Sequence, residues 1–178
     1  MKQVYFMLFS LLITVSLSSC EDTAAQTPPE PNDTISNNSI SIPVYDESQI
    51  SYFLNKKDGK VHIVNFWATW CAPCVKELPY FEQVNEEYSN DDVEITLVSL
   101  DFEHQLESKL LPYVERNLKN DVIVVIPNDE QKFIETVSKN WQTGAIPATL
   151  IYNDNKSYFI EGETTYDELT EHIQNFQQ

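Results

Sequence analysis

Val64-Asn65-Phe66-Trp67-Ala68-Thr69-Trp70-Cys71-Ala72-Pro73-Cys74 carries an apolar, strand-like segment straight into a pair of cysteines three residues apart. Val61 to Phe66 is rich in β-branched and aromatic residues and follows the turn Lys56-Lys57-Asp58-Gly59-Lys60, which predicts a short buried strand. Beyond the cysteines, Leu78, Phe81 and Val84 recur at helical spacing, so a helix follows, with Pro79 inside it as a kink rather than a stop. A Cys-x-x-Cys at such a strand-to-helix junction reads as a redox dithiol. The thiolate is the attacking species, so one cysteine must be acidified while its partner waits for the mixed disulfide. Cys71, at the first turn, gains from unpaired backbone N–H groups and the helix dipole and is the expected nucleophile. Cys74, one turn further in, is the expected buried resolving thiol.

The two residues between the cysteines tune the pair. Pro73 has no N–H and fixes its own φ, which stiffens the loop and removes a donor to sulfur. Ala72 is uncharged, and neither residue is a histidine that would donate strongly to the Cys71 thiolate. The pair is therefore expected to be reducing, nearer to about −270 mV than to the about −120 mV of a strong oxidant. The competing reading of paired cysteines is a zinc site, which needs four ligands. The chain has only three cysteines, and its three histidines, His62, His104 and His172, stand at no ligand spacing. No metal and no cofactor are expected; His104, just past a strand end, is the one histidine to watch, and His62 and His172 read as ordinary surface or core-edge residues.

The N-terminus places the dithiol in the cell. Met1-Lys2-Gln3 is followed by an apolar run from Val4 to Leu17 and by Leu17-Ser18-Ser19-Cys20. A basic start, a short apolar core and small residues before the cut fit an export signal over residues 1–19 rather than a spanning helix. Leu-Ser-Ser-Cys resembles the lipobox of bacterial lipoproteins, which implies a lipid on Cys20 and leaves Cys71 and Cys74 as the thiols of the mature chain. Residues 20–43, rich in Thr, Pro, Ser, Asn, Asp and Glu, read as the lipidated N-terminus and a flexible linker, and residues 44–178 as one domain. The formal net charge of −17 repels phosphate backbones and excludes nucleic acid as a partner.

Along that domain the periodicity predicts a helix at Asp46 to Asn55, strands at Val93 to Leu100 and Asp121 to Pro127, and helices at Phe102 to Leu118 and Asp129 to Trp141. Two further strands, Ala148 to Tyr152 and Tyr158 to Glu161, flank the hairpin signal Asn153-Asp154-Asn155-Lys156. A last helix opens with Thr165 and Glu168 at capping-box spacing. Alternating strands and helices imply an α/β fold with a central mixed sheet flanked by helices.

Asn65 to Cys74 together with Gly144-Ala145-Ile146-Pro147-Ala148-Thr149 resembles the thioredoxin superfamily. Asn65, Thr69 and Glu77-Leu78-Pro79 resemble its TlpA/ResA-type branch of exported, membrane-tethered thiol-disulfide oxidoreductases. The resemblance implies an inserted strand–helix segment between the Cys-x-x-Cys motif and Pro147, a cis peptide before Pro147, and a substrate groove at Ile146 and Pro147. Trp70 is expected beside the dithiol, Phe66 and Trp67 in the core. Where thioredoxin has a buried aspartate this chain has Asn65, which cannot take a proton; Glu77, on the same helical face as Cys74, is the expected proton acceptor if it is buried, and otherwise a solvated surface residue. The implied function is reduction of protein disulfides by a protein of the periplasm anchored through lipid. Its partners would be disulfide-bonded exported proteins and a membrane electron donor. A thiol peroxidase on the same fold, or a redox-silent binding lipoprotein, are the alternatives.

Overall fold

The computed structural model describes residues 27–88 and 92–178. The expected signal and Cys20 lie outside the described residues. In chain order the elements are β1 (Asp33–Ser36), β2 (Ser41–Tyr45), α1 (Ser51–Leu54), β3 (Val61–Trp67), α2 (Ala72–Tyr88), β4 (Val93–Ser99), α3 (Leu111–Asn117), β5 (Asp121–Val125), α4 (Glu130–Val137), β6 (Ala148–Tyr152), β7 (Ser157–Glu161) and α5 (Tyr166–Phe176). Among the described residues no helix is long and apolar enough to cross a membrane.

The strands form one sheet in the order β1-β2-β5-β4-β3-β6-β7. β3 lies inside it, parallel to β4 from Val61↔Val93 to Trp67↔Ser99 and antiparallel to β6 from His62↔Tyr152 to Phe66↔Ala148. Every residue of β3 is buried, as a strand covered on both faces must be. Alternation along the strand sends Ile63 and Trp67 into a core shared with Leu78, Phe81 and Val84 of α2 and Leu169 and Ile173 of α5. Val64 and Phe66 enter a second core with Phe133 and Val137 of α4 and Trp141. Asn65 shares its face with Ile63 and Trp67, beneath α2. Between α2 and β6 run two strand–helix units, β4 with α3 and β5 with α4, the extra unit that the resemblance implies.

Four boundaries differ by more than two residues from the sequence reading. The domain begins by Asp33 rather than at residue 44: β1 pairs with β2, and Ile35 and Ile42, inside the supposed flexible linker, are 7% and 2% exposed. The helix expected from Asp46 shrinks to α1, because the Asp46 carboxylate accepts from the Ser48 N–H and its own N–H donates to Gln49 Oε1, which holds a turn in place of a first helical turn. The helix expected from Phe102 opens as a 3-10 turn at Glu103–Gln105 and a π turn at Leu106–Leu110 before α3. The helix expected to reach Trp141 ends at Val137, where Ser138 turns extended, yet Trp141 stays 3% exposed against Phe66 and Phe133, its indole N–H donating to the Ala145 carbonyl at 2.9 Å.

Candidate active site

β3 ends at Trp67 and α2 begins at Ala72, so Cys71 occupies the capping position of the helix. Its sulfur accepts the N–H of Cys74, the third helical residue, at 3.3 Å, in the way a serine or aspartate oxygen caps a helix. Pro73 sits in the first turn, where its missing N–H costs nothing. Cys71 and Cys74 are joined as a disulfide with Cα atoms 5.3 Å apart. Cys71 keeps 6% of its surface and Cys74 none, so an approaching molecule meets only the first sulfur. The Cys71 sulfur lies 3.7 Å from the Ile146 carbonyl oxygen, and the Ile146–Pro147 peptide is cis.

The loop that presents Cys71 is clamped from β4. Asp101, 2% exposed, accepts the Thr69 N–H at 3.0 Å, the Thr69 hydroxyl, and the Ser99 hydroxyl at 2.9 Å. Three donors converging on one carboxylate hold the turn between Ala68 and Cys71. Trp70 stands outside it, 48% exposed and stacked on Phe102 at 5.6 Å; Phe102 in turn stacks with His104 at 5.8 Å. Phe66 and Trp67 are fully buried, as expected of core residues.

Beneath the dithiol lies Glu77, one helical turn beyond Cys74 and 1% exposed. Its carboxylate accepts the Asn65 amide N–H at 2.8 Å and the Thr164 backbone N–H at 2.8 Å. Burial pushes its pKa up to about 7, against the pull of those two hydrogen bonds, with the nearby Glu163 charge adding to the rise. Asn65 also donates to Thr149 Oγ1 at 3.1 Å, while its own carbonyl oxygen is buried without a partner among the described residues. Glu77 is thus the buried group the helix spacing left open, and Asn65 is bound to it rather than standing in for it.

The remaining candidates separate. His62 is 3% exposed, 2.8 Å from Asp58 and stacked on Tyr152, and His172 packs on Tyr158. Asp58, His62 and Glu94 offer ligand atoms within 4.8 Å of one another, but Glu94 is already ion-paired with Lys56 and, at 3.5 Å, with Lys60. Asp101, Phe102 and Thr164 are site residues the sequence reading missed. Asp101 had a signal, a lone carboxylate just past the carboxyl end of a buried strand, where sites in such sheets gather; the role of the Thr164 N–H belongs to the backbone and has no sequence signal.

The family model described as Redoxin matches residues 31–171. Thiol-disulfide oxidoreductase ResA of Oceanobacillus iheyensis is 30% identical over 118 residues, covering 65% of this chain and 57% of that protein. Sporulation thiol-disulfide oxidoreductase A of Bacillus subtilis is 28% identical over 96 residues, 54% of each. The chain therefore spans little more than half the length of these curated relatives. The thioredoxin family thiol:disulfide interchange protein of Chlorobium tepidum has the same fold, with a TM-score of 0.56 at 19% identity over 86% of this chain and 100% of that one.

Proposed function

This chain belongs to the Redoxin family, and from that premise we propose that it is a thiol-disulfide oxidoreductase that reduces disulfides of exported proteins, held at a membrane by lipid on Cys20. The observation that carries the activity is the asymmetry of the dithiol. Cys71 caps a helix N-terminus and touches the surface beside a cis-proline, while Cys74 is sealed beneath it.

In the reduced protein the Cys71 thiolate attacks one sulfur of the client disulfide. A Cys71–client S–S bond forms, and the client's other sulfur leaves as a thiolate that takes a proton from water. Cys74 then passes its proton to the Glu77 carboxylate and attacks the Cys71 sulfur. The Cys71–Cys74 bond closes, the second client thiolate leaves, and two electrons have moved from protein to client. A carboxyl near 7 suits that step, since it accepts a proton at neutral pH and returns it without a large penalty. Ile146, next to the sulfur, offers its backbone to an extended client segment. A membrane electron donor then restores the dithiol.

The uncharged Ala72-Pro73 pair supports the reducing direction, and Leu17-Ser18-Ser19-Cys20 supports the anchor. The test is the equilibrium potential of the Cys71–Cys74 pair against dithiothreitol and glutathione buffers. A value below about −220 mV is expected; one near about −120 mV makes the protein an oxidase, and the absence of a reversible titration removes the redox function. Mass spectrometry of the membrane-extracted chain tests the anchor, with a diacylglycerol-modified Cys20 as its new N-terminus expected.

A further inference from the structure

A groove of about 390 Å³ is lined by Trp70, next to Cys71 in the chain, by Ile146, whose carbonyl oxygen lies 3.7 Å from the Cys71 sulfur, and by Phe102, Ile126, Pro127 and Ile134. Trp70 and Phe102 are 48% and 55% exposed, an unusual outlay of aromatic surface next to a reactive sulfur. The charged residues lining the groove are Asp101, Glu103 and Glu130, and no Lys, Arg or His is among them. Asp101 is occupied by Thr69 and Ser99. Glu103 and Glu130 are exposed, and their carboxylates make no hydrogen bond or ion pair among the described residues. The lysine nearest in sequence does not neutralise them, since Lys132 is 3.8 Å from Glu47, and His104 stacks on Phe102 without lining the groove.

We propose that this groove docks an extended, disulfide-bonded segment of a cationic protein. An apolar side chain of the segment packs between the Trp70–Phe102 stack and Ile126 and Ile134. A Lys or Arg flanking the reacting cysteine meets Glu103 and Glu130, with the aromatic faces as a second partner for its charge. The inference rests on the oxidoreductase reading above and narrows it to a substrate class. The net charge of −17 acts in the same direction over longer range, drawing in basic clients and repelling acidic ones.

The test compares three substrates of the reduced full-length chain: hydroxyethyl disulfide, which is small and neutral, and two peptide disulfides identical except for Lys or Glu on either side of the cysteine. The Lys peptide is expected to be reduced with about tenfold higher kcat/KM at low ionic strength, the gap closing at about 0.5 M salt. Glu103→Gln with Glu130→Gln should cut that preference to about twofold, consistent with modest energies for exposed pairs. Asp33→Asn with Glu171→Gln, which removes the same charge from outside the groove, should leave the preference in place. Equal rates for the two peptides, or an equal loss of preference in both double variants, overturns the proposal. If hydroxyethyl disulfide is reduced while the peptides are not distinguished, only the docking inference falls; if hydroxyethyl disulfide is not reduced either, the oxidoreductase reading falls with it.

Discussion

Replacing Glu77 with glutamine converts its burial into a measurable change of stability with pH. The carboxyl rises from 4.5 to about 7 in the folded protein, so between those values the native state binds a proton that the unfolded chain has released. Stability from this group is fully present below about pH 4.5 and is lost as the pH climbs to about 7, where the native carboxyl finally ionises in its buried site. At about 1.36 kcal/mol per pH unit the loss is ~3 kcal/mol. Glutamine does not ionise. Its oxygen still accepts from the Thr164 N–H, and rotation of the Asn65 amide brings the unpartnered Asn65 oxygen to the new NH2. Glu77→Gln should therefore match the natural protein to within about 1 kcal/mol near pH 4.5 and exceed it by ~3 kcal/mol above about pH 7. Guanidinium unfolding of the disulfide-bonded protein across this range gives the difference directly. A gap that does not change with pH would refute the burial argument. The kinetic arm is separate: the variant should release reduced client about 10²-fold more slowly at pH 7 if the carboxylate takes the Cys74 proton.

Other substitutions probe the remaining parts of the site. Cys74→Ser should leave Cys71 able to attack but not to be released, so a client cross-linked to the protein accumulates on non-reducing gels, whereas Cys71→Ser captures none. Asp101→Ala removes the acceptor of three donors around Thr69 and Ser99; a loss of about 2–3 kcal/mol in unfolding free energy is expected, with Asp101→Asn restoring part of it. Gly144 has φ +70°, and a Cβ there would lie 2.6 Å from Ile134 Cδ1. Gly144→Ala should cost about 1–2 kcal/mol and displace Ile134, seen as a lower melting temperature.

The parts of the fold legible in the sequence are those where one periodicity dominates. β3 has a buried residue at every position and is read correctly to within a residue, and α2, which carries Leu78, Phe81 and Val84 on one face, is read correctly in type and in where it starts. The β1–β2 hairpin is not legible in the sequence because its apolar residues ahead of Val44, which are Ile35, Ile40 and Ile42, lie among Pro, Asn and Ser residues whose composition matches a linker; its stability comes from pairing with β5 and from the core, not from local preference. Glu77 was ambiguous for a similar reason. A glutamate on a helix looks the same whether it faces water or a sheet, and what buries this one is the Thr164 loop and Asn65, neither visible from the helix itself.

Strand register brings the distant pieces of the site together. Phe66 pairs with Ala148, so Pro147, the residue before it, arrives beside the end of β3 from which the cysteine loop departs. Trp67 pairs with Ser99, so Asp101, two residues on, reaches Thr69, two residues past Trp67. Asn65 pairs with Leu97 on one side and with Thr149 on the other, which sets its amide under α2 at the height of Glu77. A slip of β3 by one residue would turn Asn65 to the α4 face, put Phe66 or Val64 under α2, and break all three relations at once. The register is held by burial of both faces of β3, with Trp67 and Ile63 on one and Phe66 and Val64 on the other. The same packing that stabilises the sheet therefore fixes the distances between nucleophile, proline, clamp and buried acid, and leaves the Trp70 and Phe102 side chains facing outward beside them.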